Sequence, residues 1–246
     1  MELRKKGAMC SINGKKYEQK IYNIVKNCQI NKQKFNTQDE NELGGSSLKN
    51  DILCNYNDDK NIGIEIKKYK TPDWMQCGIK YDFKEQKWKA SSISKISQNA
   101  KNIFEQLIEN IILFDNKIPP FIEQQLTYKE WIQIKQNTDK WNDIYKDIPN
   151  DTIQQLYKIK GCQYIQISDG YGLYHLGKDV CNFNVPPFIV SQQLRIRIKV
   201  HTKKNKKGYC KLSVTVSCQP KNIKTLQKSN FSLDDKNKLP NNLIYL

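Results

Sequence analysis

Apolar residues recur at helical spacing between residues 15 and 28, where Tyr17, Ile21, Ile24, Val25 and Cys28 share one face. Asn13 and Gly14 stand just ahead of them as a start signal, so a first helix is predicted over 15–28. Residues 31–50 are polar and loop-like, ending in a Gly44-Gly45-Ser46-Ser47 stretch. Two short apolar runs follow, at 51–56 and 62–68, separated by Asn57-Asp58-Asp59-Lys60-Asn61. Turn residues between two such runs predict a β-hairpin, and Pro72 ends its second strand or that strand's extension. The stripe Ile93, Ile96, Ala100, Ile103, Phe104, Leu107, Ile111 and Phe114 predicts a long helix over 93–114, capped by Ser91 or Ser92. Thr127 and Glu130 form a capping-box pattern before Trp131 and Ile134. Asn150 or Asp151 opens a shorter helix over 150–158.

After Gly161 the period shortens to two. Cys162–Ile167 alternates, Ser168-Asp169-Gly170-Tyr171 turns, and Gly172–Leu176 returns as a partner strand. Leu194–Val200 alternates strictly, with Leu194, Ile196, Ile198 and Val200 on one face and Arg195, Arg197 and Lys199 on the other. A lysine-rich turn ending at Gly208 leads to a second alternating strand over Tyr209–Cys218. The tail from 220 to 246 is polar and weakly patterned. No internal repeat or long linker interrupts the chain, so a single α/β (α+β) domain over 1–246 is expected.

Charge narrows the partners. The 246 residues carry 41 Lys+Arg against 25 Asp+Glu, a formal charge of +16. That balance favours a polyanion. Only Arg4, Arg195 and Arg197 are arginines, and Asn and Ile are abundant, so an A+T-rich coding bias accounts for part of the excess lysine. No window approaches the roughly 18 apolar residues of a spanning helix, and Met1–Lys6 leads into no apolar run, so neither membrane nor secretion is expected. The eight cysteines include no C-x-x-C pair, which argues against a common zinc site. They read as buried, reduced thiols of an intracellular, cytoplasmic protein.

The chemistry concentrates at 51–67. Glu65 and Lys67 lie two residues apart on a strand and project from one face, while Ile64 and Ile66 turn to the other. The hairpin brings Asp51 alongside Glu65, so two carboxylates and an ammonium meet at a sheet edge. Hard oxygen ligands from Asp51 and Glu65 suit Mg²⁺. The metal lowers the pKa of a bound water and neutralises charge on a phosphate. Lys67 is placed to orient or deprotonate the attacking water and to stabilise a pentavalent phosphorane.

Asn50-Asp51, thirteen intervening residues and Glu65-Ile66-Lys67 resemble the PD-(D/E)xK signature of restriction-endonuclease-like nucleases. The Gly/Ser loop before Asp51 and the Ile62-Gly63-Ile64 run before Glu65 agree with it, whereas Asn50 stands where the motif has proline. The resemblance covers about residues 15–76. It implies a mixed-sheet core flanked by helices over about 15–115, with the 93–114 helix as the next core element. The remainder then reads as helical and β-hairpin DNA-recognition elaborations over about 120–220, with a C-terminal β-rich character, and a polar tail. It also implies that Glu18, an acid on the preceding helix, supports the site formed by Asp51, Glu65 and Lys67. The expected activity is Mg²⁺-dependent cleavage of double-stranded DNA by a type II restriction endonuclease. A junction-resolvase-like repair nuclease and a non-catalytic DNA-binding protein are the alternatives.

The strand face of Arg195, Arg197 and Lys199, with Lys203, Lys204, Lys206 and Lys207 in the adjoining turn, is the expected DNA-contacting surface. Arg195 or Arg197 is the candidate for bidentate guanine readout. His175 reads as a packed strand residue, and the four tryptophans as core. Cutting both strands of a symmetric target calls for two sites, so a homodimer is expected.

Overall fold

The computed structural model describes residues 2–35, 48–57, 60–71, 73–204 and 208–246. Pro72, the Gly44–Ser47 stretch, Lys206 and Lys207 lie outside these. In chain order, helix α1 (Glu2–Val25) is followed by strands β1 (Cys28–Ile30), β2 (Gln33–Lys34), β3 (Ile52–Asn57), β4 (Lys60–Lys67), β5 (Met75–Asp82) and β6 (Lys87–Ala90). Helices α2 (Gln98–Glu109) and α3 (Tyr128–Gln136) lead to β7 (Ile144–Ile148) and α4 (Thr152–Ile159). Strands β8 (Cys162–Ile167), β9 (Gly172–His175), β10 (Gln192–Lys204), β11 (Cys210–Pro220) and β12 (Leu243–Tyr245) complete a mixed α+β chain. No helix among the described residues is long and apolar enough to cross a membrane.

Where the pattern is read as one domain, the chain divides into two compact units. The first comprises Met1–Trp74, Pro149–Gln192 and Pro220–Leu246; the second comprises Met75–Ile148 and Gln193–Gln219. The first unit contains a four-stranded sheet of order β3-β4-β8-β9 and a three-stranded sheet of order β12-β1-β2. The β3–β4 pair is the expected antiparallel hairpin, with Ile52 opposite Ile64. β4 also pairs with β8, in parallel. β8 and β9 form the second expected hairpin. Ile21, Val25, Ile30, Phe35, Ile52, Ile64, Leu173 and Leu233 bury their side chains in a common core. Ile21, Ile24 and Val25 of the α1 stripe are seated as their spacing predicts, but the helix runs through Asn13 and Gly14 and ends at Val25, so that Cys28 opens β1 instead. An interior glycine costs about 1 kcal/mol relative to alanine, too little to stop a helix of this length.

The tail is less polar in effect than in composition. Ser232, Leu233 and Leu243 are buried, and Leu243 pairs with Ile30 in a strand register. Two or three well-placed leucines suffice to dock a segment, and no periodicity announces them.

The second unit is built on a five-stranded sheet of order β6-β5-β11-β10-β7. Helix α2 belongs to this unit and is shorter than the 93–114 stripe. Ser91 N–H donates to the Gly78 carbonyl at 2.7 Å, which ties the approach segment to β5, and Ser97 caps the helix by accepting from Ala100 N–H at 3.3 Å. The helix ends at Glu109 with Asn110 as its cap, and beyond it Phe114, Asp115 and Asn116 are left-handed, with φ of 53°, 53° and 57°. Ala100, Phe104 and Ile108 make the buried face, and Ile93 is left 69% exposed. The Thr127–Glu130 capping box at α3 is present in both directions. Trp74, Trp131 and Trp141 are buried and Trp88 is half-buried, consistent with core roles.

Candidate active site

The site forms at the C-terminal end of β4, in the first unit. β4 is flanked by β3 and β8, so the convergence expected at a sheet edge instead occurs on a central strand. Strand alternation places Ile64 and Ile66 in the core, 0% and 4% exposed, and turns Glu65 and Lys67 to the opposite face. Asp51 enters just before β3. Its backbone N–H donates to the Ile64 carbonyl at 3.2 Å, and its Oδ2 accepts from Ile66 N–H at 2.8 Å. These two bonds hold the carboxylate against the strand that carries Glu65 and Lys67.

Lys67 Nζ donates to Glu65 Oε1, lies 3.8 Å from Asp51 Oδ2, and reaches the Ile66 carbonyl at 3.2 Å. Its ammonium also stands 5.6 Å from the centroid of the Tyr157 ring, a cation–π distance. Tyr157 is fully buried on α4 and donates its hydroxyl proton to the Trp74 carbonyl at 2.7 Å.

Lys160, which the sequence reading did not single out, joins the group from α4. Its Nζ is 2.6 Å from Glu65 Oε2 and 3.4 Å from Asp51 Oδ1. Cys162 Sγ approaches Glu65 Oε2 at 3.7 Å. Lys160 is distant from Glu65 in sequence, and only the parallel β4–β8 pairing brings the end of α4 to the site. A lysine directly before a glycine that enters an apolar strand is the one local signal it has. Gly63 makes that approach possible, since a β-carbon there would overlap the Gly161 carbonyl and Asn50 Nδ2.

Burial pushes the Glu65 carboxyl above its usual range and Asp51 adds to this, while Lys67 and Lys160 pull it down. The Lys67 ammonium is opposed by burial, yet Glu65, Tyr157 and Asp51 hold its pKa well above the ordinary lysine value. Lys160 is likewise raised, by Glu65 and then Asp51 against burial. Both lysines are therefore ammoniums. Glu18, half-buried on α1, has its carboxyl raised first by burial and then by Asp51, and it registers the charges of Lys67, Glu65 and Lys160.

Among the described residues no three His, Cys, Asp or Glu side chains cluster as a metal-holding group. Two carboxylates remain, and their hard oxygens fit Mg²⁺, which commonly keeps several waters and takes substrate phosphate oxygens in addition.

The expected DNA-contacting residues lie in the second unit. Arg195 donates through Nε and Nη2 to Asp143 Oδ2 at 2.9 and 2.6 Å, and its guanidinium lies 6.0 Å from the Tyr145 ring centroid. Arg197 and Lys199 are half-buried on the same strand face. The backbone of Lys203 and Lys204 continues β10. His201 Nε2 is 2.8 Å from Ser213 Oγ. His175, the other histidine, is half-buried on β9. Seven cysteines have described side chains and none is in a disulfide; six are buried and Cys210 is half-buried.

No family model, curated protein or solved structure matches the chain.

Proposed function

We propose that the protein is a Mg²⁺-dependent endonuclease that hydrolyses phosphodiester bonds of double-stranded DNA, with a restriction-endonuclease-like core in its first unit. Within that class the reading is a type II restriction enzyme. The observation that carries it is the meeting of Asp51, Glu65 and Lys67 at the end of one central strand, each side chain positioned by backbone pairing.

Asp51 and Glu65 would hold the metal. When bound, Mg²⁺ supplies a water of lowered pKa and positive charge for the phosphate oxygens. Lys67 remains protonated beside Glu65, so it acts as a donor and not as a base. It orients the attacking water and offsets the negative charge that builds on the phosphorane. Tyr157 backs the ammonium with its ring, which limits where Lys67 can turn. Glu18, the acid on the preceding helix, would support the site. Arg197, Lys199 and the lysines of the adjoining turn supply phosphate contacts, and Arg195 is preset by Asp143.

Incubating the protein with Mg²⁺ and unmethylated phage DNA, then sequencing the ends, tests the proposal. Ends at one short sequence are expected. Intact DNA over a range of salt and divalent cations would overturn it, and cutting confined to branched substrates would replace it with the repair-nuclease alternative.

A further inference from the structure

Lys160 takes no part in the chemistry just described, yet its side chain is 5% exposed and aimed at both carboxylates. The pairing is specific. Lys160 serves Glu65 Oε2 and Asp51 Oδ1, whereas Lys67 serves Glu65 Oε1 and Asp51 Oδ2. Each of the four carboxylate oxygens thus faces an ammonium, and two anions meet two cations. Lys67 is fixed to β4 itself. Lys160 instead extends from the C-terminal cap of α4, where the exposed carbonyl end of a helix favours a cation. Gly161, at φ +84°, turns the chain straight into β8 behind it. The four-carbon stem leaves the ammonium able to swing while its backbone stays in place.

We propose that Lys160 is an internal counter-cation that couples metal loading of this site to the arrival of DNA; this rests on the nuclease reading above. Glu65 Oε2 and Asp51 Oδ1 are one oxygen from each carboxylate, bridged by a single cation. Lys160 therefore holds the oxygen pair that a divalent cation bridging Asp51 and Glu65 would need. With Lys160 in place the four groups are formally neutral. A divalent cation added to them meets two ammoniums of like charge, which opposes its entry. A phosphodiester brings the compensating negative charge. It also offers Lys160 a new partner within reach of the α4 terminus, in a charge-assisted hydrogen bond. Metal and DNA each then strengthen the other's binding, reciprocally. In the absence of DNA the site stays closed to metal.

Calorimetric titration of the full chain with Ca²⁺, alone and with sheared phage DNA, tests this. For the wild-type chain the DNA is expected to tighten Ca²⁺ binding by about tenfold or more, within the range usual for coupled sites. Lys160→Met should bind Ca²⁺ about tenfold more tightly than wild type without DNA, with most of the DNA dependence gone. Asp51→Asn identifies the site by losing Ca²⁺ binding. If Asp51→Asn loses binding but Lys160→Met does not gain it, the coupling role is overturned and the nuclease reading stands. If Asp51→Asn binds as wild type does, the metal lies elsewhere and both fail. Should Lys160→Met not fold, the wild-type titration decides alone, since a Ca²⁺ affinity indifferent to DNA overturns the proposal.

Discussion

Glu65 is 1% exposed, and burial raises its carboxyl above the usual range while the Lys67 and Lys160 ammoniums pull it down. Replacing one of Asp51, Glu65 and Lys67 removes a ligand or the donor, so Asp51→Ala, Glu65→Ala and Lys67→Ala are each expected to lower the cleavage rate by about 10² or more, with circular dichroism showing a retained fold. Near-normal cutting by any two of them would remove the active-site assignment. The thiols give a second test at this scale. Burial pushes Cys28 from an ordinary 9.0 up to about 11, and Cys181 up to about 12. Above pH 9 the unfolded chain releases protons that the folded chain retains, so the folded state loses stability as pH rises through that window. The contribution is full below pH 9 and falls by about 1.4 kcal/mol per pH unit for each thiol. Urea midpoints on either side of pH 9 should show the decline, and a flat profile would mean these thiols are not held protonated.

At the level of elements, the site depends on how closely α4 and β8 approach β4. Gly63 is the point of closest passage, beside the Gly161 carbonyl and Asn50. Gly63→Ala is expected to destabilise the first unit by about 1–3 kcal/mol, as overpacking does. It should also loosen the Lys160–Asp51 ion pair, because the overlap falls on Gly161 and Asn50, their chain neighbours. An unchanged melting temperature would show that the loop yields freely. The hairpin of β3 and β4 was legible beforehand, since alternation and an Asn/Asp turn are local features. The pairing of β4 with β8 was not, because parallel strands are joined through a long excursion and leave no turn to read. The same limit applies to the 93–114 stripe. Its apolar residues continue past the helix ends, but the Ser91 bond to Gly78 and the Ser97 cap decide where α2 begins, and it stops at Glu109 with Asn110 as its cap.

For the whole molecule, the proposed partner is argued from charge and the proposed assembly from symmetry. The 193–219 segment carries eight basic residues and no acidic one. Replacing Lys203, Lys204, Lys206 and Lys207 with alanine should weaken DNA binding on every sequence and flatten its salt dependence, because fewer counterions are released. An unchanged salt slope would move the DNA to another surface. One Asp51–Glu65–Lys67 site per chain would hydrolyse one strand at a time, so a two-fold homodimer is the proposed cleaving form. Mass measurement in solution with target DNA should give two chains per duplex, and one chain per duplex in the cleaving complex would exclude it.

Local patterning dictates α1's apolar stripe, both short hairpins, the capping box of α3, and the spacing that turns Glu65 and Lys67 to one side. Each follows from a repeat of 3.6 or 2 residues or from turn chemistry within a few positions. Tertiary structure alone decided the rest. It set β4 inside the sheet, seated the leucines of the polar tail, tied Arg195 to Asp143, and drew Lys160 across to Glu65. Those outcomes depend on pairings between segments far apart in the chain. A buried carboxylate accepts whichever ammonium the fold delivers to it, and no pattern in the sequence around Glu65 says that one will come from α4.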